Sequence, residues 1–291
     1  MKRLAFLLGA AVVAAPLSAQ TLPPVLRLDH IWMVIDSATY HDLTVSPFLH
    51  GEFGGYALRD SAAPGEPAGV YLYGHHTYLV FVPPGGFPGA APGDVGIALS
   101  SETPGGLIRL ARHLAFDSVP FDTATVMLHD SAGTVPWYLE LHPAGADSIG
   151  PHAALRAMEY TLAMTQRVAA RDSFGTDDRD RDRFIATHYD SLQLLGDVTR
   201  ATLAVPATEL AAMRRTLVAW GLKVYAEGAG AVVELPAMTL RLVPAYAGTG
   251  VENLTFMLNH EAAANPTYRF GLRTRLEFGP GPTAVWEFAP R

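Results

Sequence analysis

The chain has 291 residues, of which 49% are hydrophobic and 17% charged, and its formal net charge is -7 with the histidines neutral. It contains no cysteine, which excludes disulfides and thiolate metal sites and leaves apolar burial as the source of stability. No stretch concentrates Lys and Arg without acidic residues among them, so the basic surface expected of a nucleic-acid binder is missing.

The first residues, MKRLAFLLGAAVVAAPLSAQ, have the layout of a secretory signal peptide: a Lys-Arg pair, a short apolar run and a small-residue exit. We expect residues 1–19 to be removed, which takes the net charge from -7 to -9 because Lys2 and Arg3 leave. The apolar run is too short to span a bilayer comfortably, and no cysteine follows Ala19 to carry a lipid. The sequence predicts an exported protein, periplasmic or secreted, that is free of the membrane once the signal is removed.

A first module follows the signal. Its pattern predicts a strand over residues 26–36 (LRLDHIWMVID) and a short helix with Ser37 as N-cap that ends before Pro47. Three further strands, EFGGYALRD, GVYLYGH and TYLVFVP, are separated by Gly and Pro turn residues. The module order is therefore β-α-β-β-β.

A second module starts at VGIALSSE, with a helix for which Thr103 is the predicted N-cap and Pro104 the first helical residue. Strands are predicted at FDTATVMLHD, VPWYLELHP and AALRAMEYT. In VPWYLELHP, alternation places Trp137 with the leucines and puts Tyr138, Glu140 and His142 on the opposite face.

Residues 162–189 interrupt the pattern with a polar segment that contains DDRDRDRF. We interpret it as a solvated helix or linker between two halves. A calcium loop is the sharper alternative, but the glycine turn and closing glutamate of an EF-hand are absent.

The third module opens at DVTRATLAVP and has a predicted helix from about Ala207 to Trp220, which stops at Gly221. The fourth has strands but only a poor helix candidate at HEAAANP, so we expect it to be degenerate. Apolar strands that close on proline recur in TYLVFVPP, MTLRLVPA and AVWEFAP, and such repetition indicates a duplicated architecture. The predicted fold class is α+β, with paired βαβββ modules in a domain of residues 25–161 and a second of residues 190–291.

The opening strand LDHIWMVID and the closing strand TYLVFV resemble those of the vicinal-oxygen-chelate superfamily of glyoxalases, bleomycin-resistance proteins and extradiol dioxygenases. LDHIWMVIDSATY, YLYGHHTYLVF, RAMEY and VTRATLAVPATE are moreover similar to an uncharacterised glyoxalase-like bacterial family. The resemblance implies that each pair of modules curls into an open cup, and that ligands for a divalent metal come from the first and last strands of each module. In the N-terminal pair those positions fall at His30, Gly96, Val80 and either Glu159 or Glu140.

In the C-terminal pair the corresponding positions are Arg200, Arg241, Asn253 and Glu287. Two arginines cannot bind a cation, whereas Arg241 and Glu287 can pair as a salt bridge. We expect this half to be structural, or at most an anion-binding surface.

His30 has two interpretations, a metal ligand or a core imidazole with a hydrogen-bond partner. A metal site needs at least two more ligands; Glu159 or Glu140 can supply a second, and His75, His76 and His142 are unaligned candidates for a third. The small residues Gly96, Ala98 and Ser100 are predicted to face Trp32, where they either leave room for an organic ligand or are covered by large residues of other strands in a filled core. His75 and His76 point to opposite faces if extended, so at most one of them lines the cavity.

Three functions remain open. The first is metal-independent binding of a small apolar or aromatic molecule by His30, Trp32, Tyr78 and His76. The second is a metal-dependent lyase, isomerase or dioxygenase in which His30 and Glu159 hold the ion and Glu159 or Glu140 moves a proton. The third is a non-catalytic scaffold. The predicted cofactor is none or one divalent metal, and the sequence is compatible with a homodimer.

Overall fold

The computed structural model describes residues 25–60, 67–130, 133–144, 149–172, 181–264 and 266–288. The predicted signal peptide, residues 1–19, lies outside this part of the chain. No helix among the described residues has the length and apolar character needed to cross a membrane.

The N-terminal half forms one eight-stranded sheet in the order β2-β3-β4-β1-β5-β8-β7-β6. Its elements in chain order are β1 (Leu26–Val34), α1 (Ser37–Val45), a helical turn (Leu49–Phe53), β2 (Gly55–Arg59), β3 (Gly69–Tyr73), β4 (Tyr78–Val82), β5 (Val95–Ser101), α2 (Gly106–Phe116), β6 (Phe121–Asp130), β7 (Gly133–Pro143) and β8 (Ala153–Tyr160).

The C-terminal half repeats the arrangement as a second sheet in the order β10-β11-β12-β9-β13-β16-β15-β14. The described residues between the halves form α3 (Leu162–Asp172) and α4 (Arg181–Ala186). The remaining elements are β9 (Leu195–Val205), α5 (Ala207–Ala219), β10 (Lys223–Glu227), β11 (Gly230–Leu235), β12 (Met238–Pro244), β13 (Gly250–Leu258), β14 (Thr267–Phe270), β15 (Thr274–Phe278) and β16 (Thr283–Phe288). The predicted fold class, α+β with duplicated modules in two paired cups, is confirmed.

The fourth module departs from the others because its described residues form no helix. In the second module β5 and β8 run parallel, which requires a crossover, and α2 supplies it. In the fourth module β13 and β16 run antiparallel, so the chain passes from β13 to β14 without a crossover helix. The module predicted to be degenerate is a four-stranded antiparallel unit.

The helix-bearing faces of the two sheets share one apolar core. α2 contributes Leu107, Leu110 and Leu114 to it, and rings from both halves meet where Phe81 lies 5.0 Å from Trp286 between ring centroids. At the same interface Gly93 (φ +102°) touches Gly250 (φ +124°), and a Cβ on Gly250 would lie 3.1 Å from the Gly93 carbonyl oxygen. The shared core directs the opposite face of each sheet, its cup, away from the other half.

Two predicted helix starts are corrected. The N-cap of α1 is Asp36, one residue before Ser37, and its Oδ1 accepts from the backbone N–H groups of Ala38 and Thr39. Helix α2 begins at Gly106, three residues after the predicted N-cap Thr103. Gly105, just before it, has a left-handed φ of +74°, and a side chain of β8 caps the first turn of the helix. The third predicted helix is confirmed, since α5 begins at Ala207 and ends at Ala219.

Candidate functional site

The N-terminal sheet curls until strands near its two edges face each other. β3 and β7 are separated by four other strands, so a flat sheet would hold them about 24 Å apart, at about 4.8 Å per spacing. Tyr71 of β3 and Trp137 and Tyr138 of β7 nevertheless line one cavity. We call this concave face and its cavity the N-terminal cup.

Aromatic side chains fill most of the cup. The remaining cavity is about 30 Å³, room for about one water molecule. The ring of His30 stacks on Tyr78 with 4.6 Å between centroids, and Phe87 packs edge-on against Trp32 at 5.0 Å. The residues that line the cavity are His30, Trp32, Pro67, Tyr71, Tyr78, Val80, Phe87, Trp137, Tyr138 and Arg156.

A β-bulge in β1 builds the polar end of the cup. The register against β5 passes from Leu28 to His30 and leaves Asp29 as the extra residue. Such a bulge re-aims a side chain that strict alternation would send to the other face. Asp29 is completely buried, and its Oδ1 lies 2.8 Å from His30 Nδ1 and 3.4 Å from the hydroxyl of Tyr160.

The His30 ring is neutral near physiological pH. Burial lowers the pKa of His30, the hydrogen bond and charge of Asp29 oppose that change, and the charge of Arg156 adds to it. A carboxylate can only accept, so Nδ1 carries the proton and donates to Asp29. His30 Nε2 is then left as a hydrogen-bond acceptor.

Arg156 is the cationic residue in the lining of the cavity. Alternation along β8 places it on the concave face, paired with Ala98 of β5, which in turn pairs with His30. Its Nη1 lies 3.3 Å from Glu140 Oε2 and 3.4 Å from the Tyr138 hydroxyl. Burial raises the pKa of Tyr138 to about 12 and outweighs the nearby Arg156 charge; Tyr138 therefore stays protonated.

Helices α3 and α4 cover one side of the cup. Met164 of α3 and Phe184 and Ile185 of α4 belong to its apolar cluster, and the Phe184 ring lies 5.4 Å from that of Tyr160. The segment interpreted as a linker, residues 162–189, thus contributes part of the cup's wall. Residues 173–180, which include the first half of DDRDRDRF, lie outside the described part of the chain.

The predicted pairing of Glu159 with His30 is wrong. Glu159 shares its face of β8 with Leu155 and Ala157, which pack in the helix-side core. Its two carboxylate oxygens accept from the backbone N–H groups of Gly105 and Leu107, at 2.6 and 2.8 Å. Glu159 therefore caps the start of α2, where an acidic group is favoured, on the opposite side of the sheet from His30.

The structure places Glu140 and His76 differently from each other. Glu140 lies on the concave face, as predicted, but its carboxylate pairs with Arg156. His76 lies in the turn between β3 and β4, outside the lining of the cup, and its Nδ1 is 2.8 Å from Asp197 Oδ2 of β9. The adjacent Thr77 donates to the other oxygen of Asp197 at 2.5 Å, so this turn connects the two halves.

The room predicted beside the small residues of β5 is taken by Trp32. A Cβ built on Gly96 would lie 2.1 Å from Cε2 and Nε1 of the Trp32 indole. Gly96 is therefore required by the close approach of this ring, and the prediction that it leaves space is wrong. Ala98 and Ser100 are completely buried on the same face.

The residues of the cup do not fit a divalent metal. Of the positions that the resemblance implied, Val80 and Gly96 carry no ligand atom, Glu159 faces the other side of the sheet and Glu140 faces a guanidinium. No cluster of three or more His, Asp or Glu side chains suited to a metal occurs among the residues that the structure describes. A single imidazole is not enough to hold such an ion.

The concave face of the second sheet, the C-terminal cup, is open and charged. Arg241 pairs with Glu227 at 2.5 Å, and Arg275 pairs with Glu287 at 2.6 Å. The predicted pair of Arg241 with Glu287 is therefore wrong. A groove of about 440 Å³ runs along this face.

Sequence reasoning missed Asp29, Trp137 and Arg156. Arg156 could have been found, because Leu155 and Ala157 mark the core face of β8 and leave Arg156 on the concave one. Trp137 is the extra residue of a second bulge, where the register passes from Tyr138 to Pro136, and a proline inside a strand is a signal for such a bulge. No comparable signal marks Asp29.

Residues 28–288 match the model of a protein family that is described as "Family of unknown function (DUF5829)". None of the curated proteins matches the chain. Similar solved structures include a hypothetical protein from Staphylococcus aureus, 12% identical, covering 85% of this chain and 96% of that one, with a TM-score of 0.49.

Two enzymes also appear among the similar structures. An extradiol ring-cleaving dioxygenase from B. fuscum is 13% identical and covers 82% of this chain and 59% of its own, with a TM-score of 0.39. The Mn(II)-bound glyoxalase from Novosphingobium aromaticivorans is 10% identical and covers 79% and 65%, with a TM-score of 0.40. This chain thus spans less than two thirds of either enzyme, and identities this low carry no information about chemistry.

Proposed function

Since this chain belongs to the Family of unknown function (DUF5829), whose description assigns no activity, we propose a function from the geometry of the cup. The protein is an exported member of the vicinal-oxygen-chelate superfamily that binds a small planar, largely apolar or aromatic molecule in its N-terminal cup. It does so without a metal.

The observation that carries this proposal is the convergence of aromatic side chains on one cavity. Tyr71, Tyr78, Trp137 and Tyr138 come from three strands, and the neutral imidazole of His30 stacks on one of these rings. Aromatic walls with a few fixed polar groups are typical of small-molecule sites. The predicted contribution of His30, Trp32 and Tyr78 to the site is retained in the proposal, and that of His76 is not.

Entry of a ligand requires side chains to move, because the cavity of about 30 Å³ is smaller than any aromatic molecule. Pro67 and Phe87 are suited to this movement, since both lie in connections outside the strands. Phe87 rests on Trp32, so its displacement by a ligand changes the surroundings of the indole. Binding should therefore alter tryptophan fluorescence.

The test is a titration with small aromatic molecules, monitored by tryptophan fluorescence and by the melting temperature. A ligand that binds only the folded state raises the melting temperature, by an amount that grows with its concentration. We expect the increase in the wild type and in Tyr225→Ala, which removes an exposed aromatic ring from the C-terminal cup. We expect its loss in Trp32→Leu.

Two results would contradict the proposed binding. If no aromatic molecule at millimolar concentration changes the tryptophan fluorescence or the melting temperature, the result favours a non-catalytic scaffold. If a stoichiometric metal copurifies and its chelation abolishes binding, the result favours a metal-dependent enzyme. Export is tested separately by the mass of the mature protein, which should begin after Ala19.

A further inference from the structure

Two hydrogen-bond donors on the wall of the N-terminal cup lack an acceptor among the described residues. They are the indole N–H groups of Trp32 and Trp137, and both nitrogens are buried. Both residues line the same cavity. A buried donor without a partner costs free energy that a ligand oxygen would recover.

Arg156 adds further donors at the same place. Both of its hydrogen bonds leave from Nη1, and their lengths of 3.3 and 3.4 Å exceed the usual range for N–H donors. A guanidinium carries five N–H groups, so Nε and Nη2 remain without a partner among the described residues. These are the groups that make a two-bond contact with a carboxylate.

Arg156 also stands between the inner cavity and an open groove of about 350 Å³. The groove is lined by Glu140, His142 and the start of β8, and Arg156 belongs to both linings. A molecule that entered through the groove with its ring towards the aromatic wall would bring its polar end to the guanidinium. The hydrogen bond of Glu140 engages Nη1, which leaves Nε and Nη2 for the ligand.

Two carboxylates lie on the concave face: Glu140, which is paired with Arg156, and Asp29, which does not line the cavity. Asp29 is completely buried and accepts from the Nδ1 side of His30 and from Tyr160. The lining of the cavity includes His30 but not Asp29. The wall that a ligand meets therefore carries mostly donors and a cation.

We infer that the ligand of the N-terminal cup is an aromatic carboxylate, whose oxygens accept from Arg156 and from the indole N–H groups of Trp32 and Trp137. This inference rests on the proposed function and specifies its ligand class. The protein's own donors hold the oxygens, and no metal takes part.

The experiment compares three probes of similar size: benzoate, acetophenone and ethylbenzene. Acetophenone and ethylbenzene have nearly the same shape but differ in one acceptor oxygen, and benzoate adds a charge. We expect benzoate to bind about ten-fold more tightly than acetophenone, and acetophenone about five-fold more tightly than ethylbenzene. Dissociation constants come from calorimetry on the full mature chain.

Variants assign the two differences to residues. Arg156→Gln should bring benzoate to the level of acetophenone, and Arg156→Lys, which keeps the charge without the two-bond geometry, should retain part of the advantage. Trp137→Phe should weaken both oxygenated probes about five-fold and leave ethylbenzene unchanged. Trp220→Phe is the matched control, because Trp220 is equally buried but lies in the helix-side core.

The outcomes separate this inference from the proposed function. Equal binding of all three probes, or an unchanged benzoate affinity in folded Arg156→Gln, overturns the carboxylate and leaves the aromatic cup standing. Failure of all three to bind at 10 mM (about ten thousand times a micromolar dissociation constant) overturns both. The inference is supported if benzoate binds most tightly and ethylbenzene least, if Arg156→Gln removes the advantage of benzoate, and if Trp137→Phe reduces that of both oxygenated probes.

Discussion

The two cups are built on the same strand order and carry opposite contents. Trp32 pairs with Val80 and Gly96 in the first, and Thr202 pairs with Arg241 and Asn253 in the second. The first is filled by aromatic rings and covered by α3 and α4, whereas the second exposes paired charges. A duplicated scaffold therefore does not fix what its concave face does.

The β-bulge of β1 has a counterpart in the second half that carries different residues. The register of β9 against β13 also skips a residue, from Val198 to Arg200, and leaves Thr199 where the first cup has Asp29. The backbone device is thus common to both halves. Only in the first half does it bury a carboxylate beside an imidazole.

Truncating a ring of the N-terminal cup should give the largest difference between the halves. Tyr78→Ala removes a buried ring that stacks on His30 and Tyr73, and we expect a loss of about 4 kcal/mol in the free energy of unfolding. Thr239→Ala, at the equivalent place on β12, should change it by less than about 0.5 kcal/mol. Urea unfolding of both variants measures this, and similar losses would mean that the second cup is packed as well.

Filling the space under Trp32 should have a smaller effect. Gly96→Ala places a Cβ against the indole, and the ring must shift, at a cost of about 2 kcal/mol. Asn253→Ala, the equivalent position of the open cup, should be within about 0.5 kcal/mol of the wild type. Urea unfolding measures both variants. If Gly96→Ala is as stable as the wild type, Trp32 is not held in the position described.

The difference between the two halves should be smallest in the pH dependence of the free energy of unfolding. Burial keeps the pKa of His30 below its ordinary value of about 6.5 in the folded state, while the unfolded chain regains that value. As pH falls below about 6.5, the unfolded state takes up a proton that the folded state does not, so stability declines towards acid.

His30→Gln should remove this share of the decline, whereas His129→Gln, an exposed control, should not. Thermal unfolding between pH 5 and pH 8 (about the range in which an imidazole titrates) compares the three proteins. A decline that is identical in His30→Gln would show that another group causes it.

The sequence alone predicted most of the strands, the α5 helix and the duplication, because alternation and turn residues are local signals. It also placed His30, Trp32 and Tyr78 together, because alternation within each strand fixes which side chains share a face. It assigned Glu159 to the wrong face, although the buried Leu155 and Ala157 beside it marked that face as the core.

What the tertiary structure alone decided is the content of the cup. The bulges at Asp29 and Trp137 shift two side chains onto the concave face, and their positions depend on pairing with strands distant in the sequence. The coverage by α4 and the contact of Trp32 with Gly96 likewise arise only once the sheet has curled. Local sequence patterns determine which elements form. Strand register and sheet curvature determine which side chains meet, and both depend on contacts across the whole sheet.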